Sequence, residues 1–164
     1  MNDQLRISFM QEALNEAKKA YDLGEVPIGA VIVHDDKIIA KAHNLTEREQ
    51  NPLFHAELLV IQEASAKLKS RRLHDCSLYV TLEPCSMCAG AIILARIPNV
   101  YIACKDAKSG AVTSLYELLT DTRLNHRCMI HFGTLELECS SLIQSFFKEL
   151  RKGDIIKTQS TKIS

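Results

Sequence analysis

Two short motifs constrain this chain more than any other feature: His55-Ala56-Glu57 and, thirty residues after the histidine, Pro84-Cys85-Ser86-Met87-Cys88. Each follows a turn signal and opens a stretch with helical spacing, so each is expected at a helix N-terminus. Two cysteines separated by two residues on the first turn of a helix can point both sulfurs at one tetrahedral ion. The helix N-terminus also favours the thiolate form that binds it. His55 supplies a third ligand provided that both helices begin side by side at one edge of a sheet. Three protein ligands leave the fourth position for water, and zinc makes that water acidic near neutral pH. Glu57 stands about 200° further round an ideal helix than His55, so it is expected to flank the ion without binding it and to move protons.

Taken singly, the motifs are weak. A lone C-x-x-C also reads as a redox pair or half of a structural zinc knuckle, and a lone H-x-E is close to noise. Their combination is the stronger signal, because a knuckle needs a second ligand pair at short spacing. Cys76, Cys104, Cys128 and Cys139 each stand alone and read as small core or surface residues. His34, His74, His126 and His131 have no partner at metal spacing. His43 is the rival fourth ligand; were it bound, the site would be closed and the zinc structural.

Six cysteines in a small secreted domain would suggest three disulfides. The N-terminal MNDQLRISFMQEAL, however, carries acidic residues and helical spacing instead of a secretory leader, which places the chain in the cytoplasm, where ligand or core roles are expected. A chain with 46% hydrophobic and 24% charged residues is not disordered by composition, and no apolar run approaches the roughly 18 residues of a membrane span. A soluble, globular protein with no membrane partner is expected. Twenty basic and twenty acidic side chains leave no global field to draw the chain onto a polyanion, so any nucleic-acid contact must come from a local patch. Residues 142–164 hold five basic and two acidic side chains, a patch of the kind a phosphate backbone uses.

Apolar periodicity predicts a helix over 5–22 that stops near Gly24, then a hairpin of strands 28–33 and 37–42 turning at Asp35 and Asp36. A loop over 44–54 leads to a helix from His55 to about Leu68, a strand over 77–82, and a buried helix over 86–96 that Pro98 ends. Strand 100–104, a loop containing Gly110, a helix near 113–120, a weak strand near 128–132 and a helix near 136–152 complete the expected domain, 1–152. Residues 153–164 read as a flexible tail. Alternating strands and helices predict an α/β fold: a three-layer α-β-α sandwich whose mixed central sheet has helices on both faces.

H-x-E with P-C-x-x-C is also the signature of zinc nucleobase deaminases. From about Met10 to Lys152 the chain resembles the bacterial tRNA-specific adenosine deaminases, within the cytidine and deoxycytidylate deaminase superfamily. The likeness rests on GEVPIGAVIV at 24–33, Asn44, LYVTLEPCSMCAGAI at 78–92, RIPNV at 96–100, KDAKSGA at 105–111, LNHR at 124–127 and FFKELRK at 146–152. The resemblance implies a five-stranded, cytidine deaminase-like fold, a homodimer with one Zn2+ per subunit, and conversion of the wobble adenosine of a tRNA anticodon to inosine. It also implies roles for single residues. Asn44 matches the residue that hydrogen-bonds the target base, with the backbone at Ala56 beside it, and Val26, Pro27 and Leu82 match the pocket walls. Glu83 and Pro84 complete the exit of the metal strand. Asp106 matches a contact to the sugar of the nucleotide 5′ to the target. Phe147, Arg151 and Lys152 match a C-terminal helix that touches the anticodon loop.

Each of these has a plainer alternative: Asn44 as a loop turn, Phe146 and Phe147 as core, Lys148, Arg151 and Lys152 as a solvated helix face. Leu53 and Phe54 stand where the family commonly has threonine and alanine, which crowds the rim of the expected pocket. Lys105 replaces a common arginine, keeping the charge but losing the bidentate fork. Two further functions stay open on sequence: deamination of a free base or nucleoside such as guanine or cytidine, and a non-catalytic zinc protein that binds RNA or scaffolds a partner.

Overall fold

The computed structural model describes residues 2–155, in which four helices pack on a five-stranded sheet. Helix α1 (Asp3–Asp22) is capped by Asn2, whose side chain accepts the N–H of Gln4 at 3.0 Å. It buries Phe9, Met10, Ala13, Leu14, Ala17 and Ala20 at helical spacing. The hairpin follows as β1 (Gly29–His34) and β2 (Lys37–His43), with Asp35 and Asp36 both at positive φ (49° and 55°) as its two turn residues.

Close approach fixes the residue at the start of β1. A Cβ on Gly29 would lie 2.0 Å from the carbonyl oxygen of Ala13 and 2.5 Å from the nitrogen of Ala17. At this point the helix backbone therefore meets the strand across a residue with no side chain.

Helix α2 (Ala56–Leu68), β3 (Cys76–Leu82), α3 (Ser86–Ala95) and β4 (Asn99–Cys104) form a crossover in which β4 pairs parallel to β3. Strand β5 (Met129–Phe132) pairs parallel to β4, and α4 (Glu136–Lys152) ends on Gly153 at φ 81°. The strand order is β2-β1-β3-β4-β5, and β1 is antiparallel to both of its neighbours, so the sheet is mixed as expected. One core packs α2 and α3 on the first face; the other packs α1 and α4 on the second. Strands β3 and β4, covered on both faces, are buried along most of their length, as their near-continuous apolar sequence requires. Edge strand β2 carries the exposed Lys37 and Lys41, which discourage edge pairing.

Element bounds agree with the sequence to within about two residues, with one exception. The helix expected near 113–120 is absent: residues 111–114 form turns, and only Leu118–Thr120 makes a short 3-10 turn. The N–H groups of Val112, Thr113 and Ser114 bond the Glu83 carboxylate instead of carbonyls one turn back, which excludes an α-helix at that point. Helix α3 also ends before Pro98, at Ala95, with Arg96 left-handed at φ 60°. From residue 156 onward, the segment read as a tail lies outside the described residues. Among the described residues no helix is long and apolar enough to cross a membrane.

Candidate metal centre and pocket

The two motif ligands occupy equivalent positions. His55 and Cys85 are the N-caps of α2 and α3, both in extended backbone (φ −74° and −72°), and neither side chain caps its own helix. Each is thereby free to reach across the gap between the helix starts. Because β2 and β3 are both antiparallel to β1 they run the same way, so α2, which follows β2, and α3, which follows β3, begin at the same edge of the sheet. His55 Nδ1 lies 3.6 Å from Cys85 Sγ and 3.5 Å from Cys88 Sγ. A tetrahedral zinc with ordinary Zn–N and Zn–S bonds holds nitrogen and sulfur about 3.6 Å apart, so the donor set and its spacing suit that ion. Among the described residues this is the one group of three or more such donors that converge, all within 4.8 Å of one another.

His43 is elsewhere. Its Nδ1 lies 2.7 Å from Glu16 Oε2 on α1, and it does not join the donor group. Cys76, Cys104, Cys128 and Cys139 are buried free thiols. Burial pushes Cys76, Cys104 and Cys128 up to about 11 and Cys139 to about 12, as suits structural residues.

The centre is electrostatically polarised. The Cys88 hydrogen bond, aided by His55, holds the Cys85 thiol down at about 4 against the opposing effect of burial, while the same bond and burial push Cys88 up. The bond to Cys85 raises His55. Glu57, on the first turn of α2, is fully enclosed, and burial lifts its carboxyl to about 7. Its Oε2 is buried without a hydrogen-bond partner. Such an atom costs free energy unless something polar meets it, and this one sits beside the three donors.

Asn44 is the counterpart of Glu57. It is 4% exposed and its Oδ1 is likewise unpartnered, while its N–H donates to the Ile28 carbonyl at 3.0 Å. The Leu45 N–H donates to the Phe54 carbonyl at 3.0 Å, which closes the base of the 44–54 loop and sets Asn44 close to His55. Pro27 is buried, and Val26 and Leu82 are half-buried near the same edge, in the segment entering β1 and at the exit of β3. Ala56 is fully buried. Leu53 is 55% exposed next to the histidine motif, and Phe54 is half-buried.

Asp106 heads a turn. Its carboxylate accepts the N–H groups of Lys108 and Ser109 and the Ser109 hydroxyl. Lys105 holds its ammonium 5.5 Å from the centroid of the Phe132 ring. On α4, Phe146 is core and meets Tyr21 edge-on at 5.5 Å between centroids, whereas Phe147 is 38% exposed. Tyr21 is in the last turn of α1, the turn that feeds β1, so this contact carries the C-terminal half of α4 toward the edge where β3 exits. Arg151 and Lys152 are exposed on that half.

Two carboxylates that the motifs do not mark as functional are also buried. Glu25 accepts the N–H groups of Arg48 at 2.6 Å and Glu47 at 3.2 Å, holding the 44–54 loop from below. Glu83 does the same for residues 106–114, and these bonds hold it at about 2 although burial acts the other way. Only position hints at their role: each immediately precedes a pocket or ligand segment.

Comparison with known proteins agrees with this geometry. The family model for MafB19-like deaminases matches residues 2–151. A tRNA-specific adenosine deaminase of Bacillus subtilis is 51% identical over 144 residues, covering 88% of this chain and 89% of that protein. A solved structure from a study of A-to-I editing by tRNA:A34 deaminases at the wobble position superposes with a TM-score of 0.80 at 41% identity, covering 82% of this chain and 98% of that one. A guanine deaminase of Nitrosomonas europaea shares the fold at a TM-score of 0.74 and 19% identity, over 85% of this chain and 83% of that one.

Proposed function

The chain belongs to the MafB19-like deaminases and, with its curated relatives, to the tRNA-specific adenosine deaminases, and from that premise we propose that it hydrolyses the wobble adenosine of a tRNA anticodon to inosine, releasing ammonia. The observation that carries this is the convergence of His55, Cys85 and Cys88 beside two buried, unpartnered acceptors, Glu57 Oε2 and Asn44 Oδ1. A base brought into the pocket meets both.

His55, Cys85 and Cys88 would hold one Zn2+ in each subunit. When bound, zinc supplies a water acidic enough to lose its proton near neutral pH. Glu57 would accept a proton from the attacking water and hand it to N1 of the adenine, then accept the remaining proton from the new C6 hydroxyl and pass it to the amine as the C6–N bond breaks and ammonia leaves, so one carboxylate serves as base and acid. Asn44 binds the edge of the base with the backbone at Ala56 beside it, and Val26, Pro27 and Leu82 wall the ring. Asp106 meets the sugar of the nucleotide on the 5′ side. Phe147, Arg151 and Lys152 offer a stacking face and cations to the anticodon loop. Residues 1–152 constitute the deaminase domain, and the enzyme acts as a cytoplasmic homodimer.

The test is deamination of an anticodon stem-loop, read as inosine, against ammonia release from free adenosine, guanine and cytidine, with zinc quantified in the same preparation. Inosine in the stem-loop at about one zinc per chain is expected. Turnover of the free compounds alone, or none of any substrate, would overturn the proposal.

A further inference from the structure

Residues 105–114 border the pocket without helix or strand of their own, and what orders them is a side chain from the metal strand. Glu83 is 2% exposed. Its Oε1 accepts the N–H groups of Val112, Thr113 and Ser114 at 3.0, 2.7 and 2.9 Å. Its Oε2 accepts the N–H of Asp106 at 3.0 Å and the Ser114 hydroxyl. The backbone completes the seam, with the Glu83 N–H on the Cys104 carbonyl at 2.9 Å and the Ala111 N–H on the Pro84 carbonyl at 2.8 Å. A Cβ on Gly110 would lie 2.4 Å from Glu83 Cδ, so the loop is wrapped closely on this one carboxylate.

No ion pair involves Glu83 among the described residues, and five donors surround it instead. Only an acceptor at both oxygens suits such a cradle, since an amide would turn its N–H groups on other donors. A buried charge used this way is a costly means of stabilising a fold, but it ties the backbone of Asp106 to a residue two positions before Cys85. The Asp106 carboxylate is itself fixed by the turn to Lys108 and Ser109, so the Asp106 turn and the Glu83 cradle form one connected hydrogen-bond network.

We propose that Glu83 is a positioning residue for RNA: it holds the Asp106 turn in register with the metal strand, so that the nucleotide on the 5′ side of the target is bound while the target faces the reacting groups. This rests on the tRNA deaminase assignment. Glu83 touches neither substrate nor metal and acts through Asp106.

A double-mutant cycle on the zinc-loaded enzyme tests it, using Glu83→Gln, Asp106→Ala and the pair, with KM and kcat measured on an anticodon stem-loop, zinc content, and amide exchange at residues 106 and 112–114. Glu83→Gln should keep its zinc, exchange those amides faster, and raise KM about tenfold with a much smaller fall in kcat, as expected for lost binding geometry. The double variant should be no worse in KM than the more impaired single variant, because both act on one segment. Ser114→Ala, which removes one donor and leaves the carboxylate, should show the same split more weakly, and it supplies the comparison if Glu83→Gln does not fold. Additive KM effects, loss of zinc in Ser114→Ala, or a loss confined to kcat would overturn the proposal. A wild-type enzyme inactive on the stem-loop would overturn the substrate assignment first, and this inference with it.

Discussion

Gly110→Ala turns the packing of the pocket border into a number. The new methyl would sit 2.4 Å from Glu83 Cδ and 2.5 Å from both Glu83 Oε2 and the Asp106 carbonyl oxygen, while ordinary contacts begin near 3.4 Å. Something must therefore move by about 1 Å, and one of the colliding groups is backbone. Gly110 is not among the left-handed glycines, so the penalty is steric and not conformational. A shift of that size breaks or bends at least one charged hydrogen bond, worth roughly 1.5–3 kcal/mol, and adds overpacking of about 1–3 kcal/mol. The stiffer unfolded chain returns about 0.4–1 kcal/mol. The net is about 2–5 kcal/mol, a large part of the roughly 5–15 kcal/mol that holds a domain together, and lowers Tm by about 4–20 °C. Urea unfolding at a shared m-value measures it, with Gly90→Ala as the control. Gly90 lies inside α3 with nothing within 4 Å of a Cβ, so alanine there should stabilise by about 0.5–1 kcal/mol. A Gly110→Ala variant within about 1 kcal/mol of wild type would refute the reasoning. Marked destabilisation by Gly90→Ala would instead place α3 against another surface.

Other consequences are checked as directly. Glu57→Gln should bind zinc as wild type does while turnover of the stem-loop falls about 10²–10⁴-fold, because the residue moves protons and is not a ligand; zinc content and kcat measured on one sample decide it. Cys88→Ser should lose the metal, and its Tm should match that of wild type treated with chelator, since the site ties two helix starts together; stoichiometric zinc in the variant would remove Cys88 from the ligand set. Glu16 is pushed up by burial, but hydrogen bonds from Lys19 and His43 and their charges outweigh this and hold its folded-state carboxyl below the ordinary 4.5. A lowered folded pKa means stability that is present above about 4.5 and lost as the pH falls beneath it, so Glu16→Gln should flatten the acid limb of a stability-against-pH curve measured by urea unfolding. An unchanged slope would show that the cluster contributes nothing to acid sensitivity.

What could be read from the chain alone divides by the range of the interactions involved. The helices and strands announce themselves in the spacing of apolar residues, since Phe9, Ala13, Ala17 and Ala20 face the sheet for the same geometric reason that separates them in sequence. The metal site is legible for a related reason: Cys85 and Cys88 are neighbours on one turn, and the thirty-residue step back to His55 is one helix running away from the edge plus one strand running back to it. The mistaken helix near residue 113 shows where this stops. Ala-Val-Thr-Ser-Leu contains no proline or glycine to forbid a helical turn, and the N–H groups of its three central residues go to Glu83, a residue about thirty positions earlier. Glu25 likewise holds residues 47 and 48 from more than twenty positions away. A buried carboxylate whose partners are main-chain amides leaves no trace in charge pattern or periodicity, because every residue carries the same amide. These two are therefore legible only in three dimensions, and each underlies one of the two loops that border the pocket. In this fold the chemistry is written in side-chain identity, whereas the shape of the opening that admits substrate is written in backbone hydrogen bonds to acids that take no part in the reaction.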